Sequence, residues 1–122
     1  LNRQWRQWTI NEPAVFITFN GMSYDEELVR RQFYLNLFES YLTNTNGNSR
    51  LDILLMIHNV AAFFPNILNI PLFEGGPGVS IKQADIAAAN GFEIGDAHDA
   101  IADCKLMISL LEKMNQEKPE LI

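Results

Sequence analysis

Two side chains near the end of the chain are spaced for phosphoester chemistry. In Ala97-His98-Asp99-Ala100-Ile101-Ala102-Asp103 an imidazole precedes a carboxylate by five positions. Water that attacks phosphorus needs a base with a pKa near neutrality, and histidine starts there. A divalent cation that polarises a phosphate needs hard oxygen ligands, and aspartate supplies them. On an ideal helix, positions i and i+5 point about 140° apart. The pair therefore converges better with His98 in the turn before a helix and Asp103 on its first turns. Taken alone, the same spacing also describes a surface histidine and a solvated aspartate near a helix start.

A second acidic candidate lies far upstream. Ala14-Val15-Phe16-Ile17-Thr18-Phe19 is β-branched, aromatic and almost wholly apolar, which predicts a buried, parallel strand. Asn20-Gly21 is a turn signal. A helical pattern follows to about Leu42, with Ser23 as N-cap and Glu26 completing a capping box. Asp25 then falls in the first helical turn, at the carboxyl end of a strand, where functional groups collect in α/β folds. The helix dipole favours its ionised form there. Complementing that dipole would by itself be reason enough for an aspartate.

The elements that must position these groups read as follows. Residues 1–12 hold Trp5 and Trp8 at helical spacing, predicting a short packing helix rather than a platform for stacking bases. Residues 43–49 form a polar loop. Residues 50–53 predict a short strand that runs into an apolar helix from about Leu54 to Phe64, stopped by Pro65. His58 in that helix reads as a core or rim residue. Asp52 lies among apolar neighbours and needs a partner if buried. Residues 65–79 are irregular, and Gly75-Gly76-Pro77-Gly78 does not match a phosphate-binding loop. Ser80 is read as the cap of a helix over 81–89 with Asn90-Gly91 as its stop. The last helix runs to about Asn115, with Ile101, Cys104, Ile108 and Leu111 as its buried stripe.

Composition narrows the function classes. The 122 residues suit one domain, and 48% hydrophobic with 20% charged residues excludes a disordered chain. No run approaches the roughly 18 apolar residues of a membrane span, no signal peptide is visible, and no membrane partner is expected. The single Cys104 forms no internal disulfide and reads as a small buried hydrophobe in a reducing, cytoplasmic protein. A net charge of −6 argues against passive nucleic-acid binding by counterion release. It leaves room for a nuclease, whose carboxylates hold metals that bring the positive charge. The chain begins at Leu1 without an initiator Met, which reads as a fragment.

Together these stretches resemble a known family. Phe19-Asn20, Tyr24-Asp25-Glu26-Glu27, Arg30, Phe33-Tyr34, Asn48-Ser49-Arg50-Leu51-Asp52 and the run from Ala89 to Asp103 resemble the DEDDh 3′–5′ exonucleases. Within them the resemblance is nearest to the bacterial exonuclease I family, which degrades single-stranded DNA from its 3′ end. It covers nearly the whole chain, least in residues 65–79.

The resemblance implies an α/β, RNase H-like exonuclease fold and two-metal phosphodiester hydrolysis with Mg²⁺ or Mn²⁺. It implies Asp25 as the second-motif aspartate that organises metals and scissile phosphate. It implies Asp103 as a direct metal ligand and His98 as general base. Asn20 and Tyr24 are implied as nucleic-acid contacts, and Lys82 as a phosphate contact.

The sequence also departs from the family. The first motif, Asp-x-Glu on a leading strand, is absent ahead of Asn20, and the only Asp-x-Glu is Asp25-Glu26-Glu27. Residues 1–122 are therefore expected to be the C-terminal portion of a single exonuclease domain, an incomplete fold with its leading strands absent. The chain alone is then expected to be weakly active or inactive. Its expected partners are the 3′ end of single-stranded DNA, a missing N-terminal segment or complementing chain, and another copy paired through an exposed edge of strand 14–19. Two alternatives remain: a degenerate, non-catalytic binding or assembly domain, and an HD-type phosphohydrolase using His98-Asp99 with His58.

Overall fold

The computed structural model describes residues 1–95 and 99–121, and the chain divides into two compact units, residues 1–53 and 54–122. The first unit opens with α1, Asn2–Thr9. Its Trp5 packs on Phe16 with ring centroids 4.9 Å apart and on Phe33 at 5.8 Å. The expected packing role thus holds for Trp5, while Trp8 stays exposed.

Two short strands follow, β1 (Val15–Thr18) and β2 (Ser49–Asp52), paired in parallel with Val15 opposite Ser49 and Thr18 opposite Asp52. Asn48 ties their entrances together. Its Oδ1 accepts from Ala14 N at 2.9 Å, and its Nδ2 donates to Leu42 O at 2.9 Å. The parallel pairing matches expectation, but the strand is shorter than predicted and is not buried. Val15 and Ile17 are 56% and 41% exposed. Alternate side chains of a strand face opposite ways, and only the Phe16 face is covered by Trp5.

Between the strands a 3₁₀ turn, Gly21–Ser23, leads into α2, Asp25–Leu35. The predicted capping box does not form. Ser23 lies in the 3₁₀ turn, Tyr24 is the cap residue without a side-chain bond, and Glu26 pairs with Arg50 instead. The helix also ends seven residues before Leu42. Leu37 adopts the left-handed region at φ 61°, Leu37 N donates to Tyr34 O and Phe38 N donates to Phe33 O. These two bonds close a Schellman motif, a helix stop built here on leucine.

The second unit holds α3 (Ile53–Phe63, whose first residue belongs to the first unit), α4 (Gln83–Ala89) and α5 (Ala100–Glu117). Among the described residues, Leu54, Ile57, Val60, Leu68, Ile86, Ala87, Leu106, Leu110 and Met114 are its buried apolar side chains. Asn90 binds the 65–79 loop: its Oδ1 accepts from Asn69 N and its Nδ2 donates to Asn69 O. The Asn90-Gly91 stop forms as expected, with Gly91 at φ 81° and bonds from Gly91 N to Ala88 O and Phe92 N to Ala87 O.

Two expectations fail in this unit. Ser80 is not the cap of α4; Lys82 holds that position, while buried Ser80 donates to Asp85 at 2.5 Å. The buried stripe of α5 is Leu106, Leu110 and Met114, whereas Ile101, Ile108 and Cys104 are exposed. The helix carries apolar residues on more than one face, so their spacing alone did not select the face that packs. Among the described residues no helix is long and apolar enough to cross a membrane.

Candidate functional site

In the first unit, the candidate residues Asn20, Tyr24 and Asp25 share the segment between β1 and α2. The chain leaves β1 and turns sharply. Asn20 takes a left-handed conformation at φ 58°. Gly21 settles against Thr18 so closely that a Cβ there would lie 2.5 Å from the Thr18 side chain. The turn hangs on Asp52, which is 5% exposed. Asp52 Oδ1 accepts from Asn20 N at 2.8 Å and Oδ2 accepts from Met22 N at 3.1 Å. The partner that the sequence demanded for a buried Asp52 is thus the backbone of this loop.

Asp25 follows as the first residue of α2, with an exposed carboxylate; Tyr24 beside it is also exposed. A cleft of about 160 Å³ opens next to Asp25, walled by Trp5, Phe16, Thr18, Glu26 and Arg50. Glu26 and Arg50 form an ion pair in its wall, both side chains largely covered. The next residue, Glu27, receives hydrogen bonds from Arg31 and Arg30, one turn further along α2. Those bonds, Arg31's first, hold its carboxyl below the usual glutamate value.

In the second unit, Asp103 lies in the first turn of α5, as expected, with its side chain exposed. Gln83 Nε2 donates to the Asp103 carbonyl at 2.6 Å, joining the start of α4 to that turn. Lys82, the cap residue of α4, is exposed and lines a second cleft with Glu74 and Asp85. His98 lies outside the described residues. Asp99 is spent on structure: its Oδ1 accepts from Ile101 N at 3.0 Å and caps α5. The HD-type alternative would need Asp99 as a metal ligand, whereas here its Oδ1 caps α5, and His58 is exposed on α3.

The aspartates among the described residues therefore divide into two groups. Asp52, Asp85 and Asp99 are occupied by hydrogen bonds within the fold. Asp25 and Asp103 present exposed carboxylates for which no hydrogen bond or ion pair is found among the described residues. Uncommitted carboxylate oxygens are the donor type that Mg²⁺ and Mn²⁺ take. No group of three or more His, Cys, Asp or Glu is gathered for a metal among the described residues. Sequence reasoning found both free aspartates. It did not assign the Glu26–Arg50 pair, whose signal would have been two opposite charges flanking Asp25 and Asp52.

No protein-family model matches the chain. Its sequence is 32% identical over 106 residues to exodeoxyribonuclease I of Buchnera aphidicola subsp. Acyrthosiphon pisum, covering 86% of this chain. It is 33% identical over 104 residues to exodeoxyribonuclease I of Haemophilus influenzae, covering 84%. The structure matches E. coli exonuclease I in complex with a 5cy-dT13 oligonucleotide with a TM-score of 0.81 at 28% identity, covering 98% of this chain and 25% of that one. It matches the zinc-bound form of an E. coli exonuclease I–ssDNA complex with a TM-score of 0.79 at 27% identity, over 98% of this chain and 26% of that one. The chain spans 25% and 22% of the lengths of the two sequence relatives. Its fold is thus that of a stretch of exonuclease I, and the chain is related to the exodeoxyribonuclease I enzymes along most of its length.

Proposed function

We propose that this chain supplies the second- and third-motif portion of a metal-dependent 3′–5′ exonuclease domain that releases 5′-mononucleotides from single-stranded DNA. The observation that carries this reading is the division of the aspartates. Asp25 and Asp103, at the positions of the family's second and third acidic residues, are the two left uncommitted among those described. In this reading Asp103 is a direct metal ligand and Asp25 a ligand that also orients the scissile phosphate. Bound Mg²⁺ or Mn²⁺ would supply charge for the attacking and leaving oxygens. His98 takes the proton of the attacking water. Asn20, Tyr24 and Lys82 contact the nucleic acid, Tyr24 offering an exposed ring to a base.

The same reading makes the isolated chain weakly active or inactive. Two of the four acidic positions implied by the resemblance have no counterpart in the sequence. Among the described residues β1 pairs only with β2, so a further strand can add beside it. That strand would come from an upstream segment, a complementing chain or a second copy.

The test is nucleotide release from 3′-labelled single-stranded DNA with Mg²⁺ or Mn²⁺. The chain is assayed as it stands, joined to an upstream Asp-x-Glu strand, and with His98→Ala, Asp103→Ala or Asp25→Ala in that joined form. The expected result is activity on joining, lost in each variant. Continued inactivity of a folded, joined chain would overturn the reading in favour of a non-catalytic domain.

A further inference from the structure

The first turn of a helix cannot fix its own position through helical hydrogen bonds, because its N–H groups have no partners inside the helix. A capping side chain normally makes up for this. In α2 it does not: the cap residue Tyr24 has φ −144° and ψ −61° and forms no side-chain bond. Asp25 is therefore placed by something outside its own helix.

The outside support is β2. Residues two apart on a strand face the same way, so Arg50 and Asp52 project from one face of it. Asp52 grips the segment at its start, through the Asn20 and Met22 amides. Arg50 grips it at its end, through the Glu26 carboxylate, whose side chain is 10% exposed. Asp25 is the residue immediately before Glu26 and lies between the two grips.

We infer that Arg50 and Asp52 are positioning residues: β2 clamps residues 20–26 at both ends and thereby sets where Asp25 sits. The inference rests on the reading of Asp25 as a metal ligand for its purpose, although its geometry stands apart from it. Asn at position 52 offers one acceptor oxygen where the carboxylate offers two, so it can keep only one of the two amides. Methionine at position 50 keeps the bulk of the stem and loses the charge.

The test is backbone NMR of the whole chain as wild type, Asp52→Asn, Arg50→Met and Glu26→Gln, each titrated with Mn²⁺. The Phe38 amide, bonded to Phe33 O at the far end of α2, reports that the first unit stays folded. The clamp predicts that each variant shifts the Tyr24 and Asp25 resonances. It also predicts that Mn²⁺ broadening at Asp25 weakens by about tenfold or more, as when the groups orienting a metal ligand are removed. A purely structural role would leave that broadening unchanged. If Asn20 and Met22 move while Tyr24 and Asp25 do not, the clamp is refuted. If the wild type shows no broadening near Asp25, the titration is repeated on the chain joined to an upstream Asp-x-Glu strand; no broadening there either overturns the metal-ligand reading, and the Tyr24 and Asp25 shifts still decide the clamp. Should Asp52→Asn fail to fold, Arg50→Met and Glu26→Gln decide it at the other grip.

Discussion

Replacing Leu37 by glycine should stabilise the chain, although it deletes a large apolar side chain. Leu37 terminates α2 in the left-handed region, φ 61°, where its Cβ crowds the backbone. An L-residue pays roughly 1–2 kcal/mol for that conformation. Glycine is free of that cost but loses more chain entropy on folding, about 0.5–1 kcal/mol. The side chain is 95% exposed, so its removal sacrifices almost no burial. The balance is a gain of about 0.5–1 kcal/mol, or a rise in Tm of about 2–5 °C. Urea unfolding followed by circular dichroism measures it. The converse control is Gly91→Ala, at φ 81° with nothing within 4 Å of an added Cβ, which should cost about 1 kcal/mol from backbone strain alone. A lowered midpoint for Leu37→Gly would refute the reasoning, because it would mean that the leucine side chain is covered and packed in solution.

Two further outcomes follow from named contacts. Asp99→Ala removes the cap on Ile101 N and should destabilise α5 by about 1 kcal/mol in a thermal melt, whereas Asp99→Ser keeps an acceptor and recovers most of the loss; equal losses in both would mean that Asp99 does something other than cap. Glu27 has its folded pKa lowered by Arg31 and Arg30, so its contribution to stability is present above its unfolded value and disappears as pH falls through the lowered one. Acid titration of stability should therefore be shallower in Glu27→Gln than in the wild type over that range, and identical slopes would count against the pairing.

Much of the candidate site was legible because its chemistry is written locally. Asp103 on the first turn of the last helix and Asp25 on the first turn after a strand both follow from short-range signals, and both appear where expected. Asp52 was legible as a question: a carboxylate among apolar residues needs a partner. Which partner it finds was not, because Asn20 and Met22 lie about thirty positions away and meet it only through the parallel register of β1 and β2. The same register drew Glu26 away from the capping box and onto Arg50.

The helix ends show the division most directly. Asn90-Gly91 stops α4 and was readable, since glycine is the residue that enters the left-handed region without penalty. Leu37 stops α2 with the same pair of hydrogen bonds and was not readable, since a leucine carries no such signal. There the surrounding fold imposed the turn against local preference. The buried stripe of α5 was decided in the same way: apolar residues lie on several of its faces, and only packing chose Leu106, Leu110 and Met114 over Ile101, Cys104 and Ile108. The sequence by itself determined the order of the main elements, which carboxylates are candidates and which family they resemble. Tertiary structure decided what holds Asp52, because its partners Asn20 and Met22 are distant in sequence, whereas Asp85 and Asp99 are held by near neighbours in the chain.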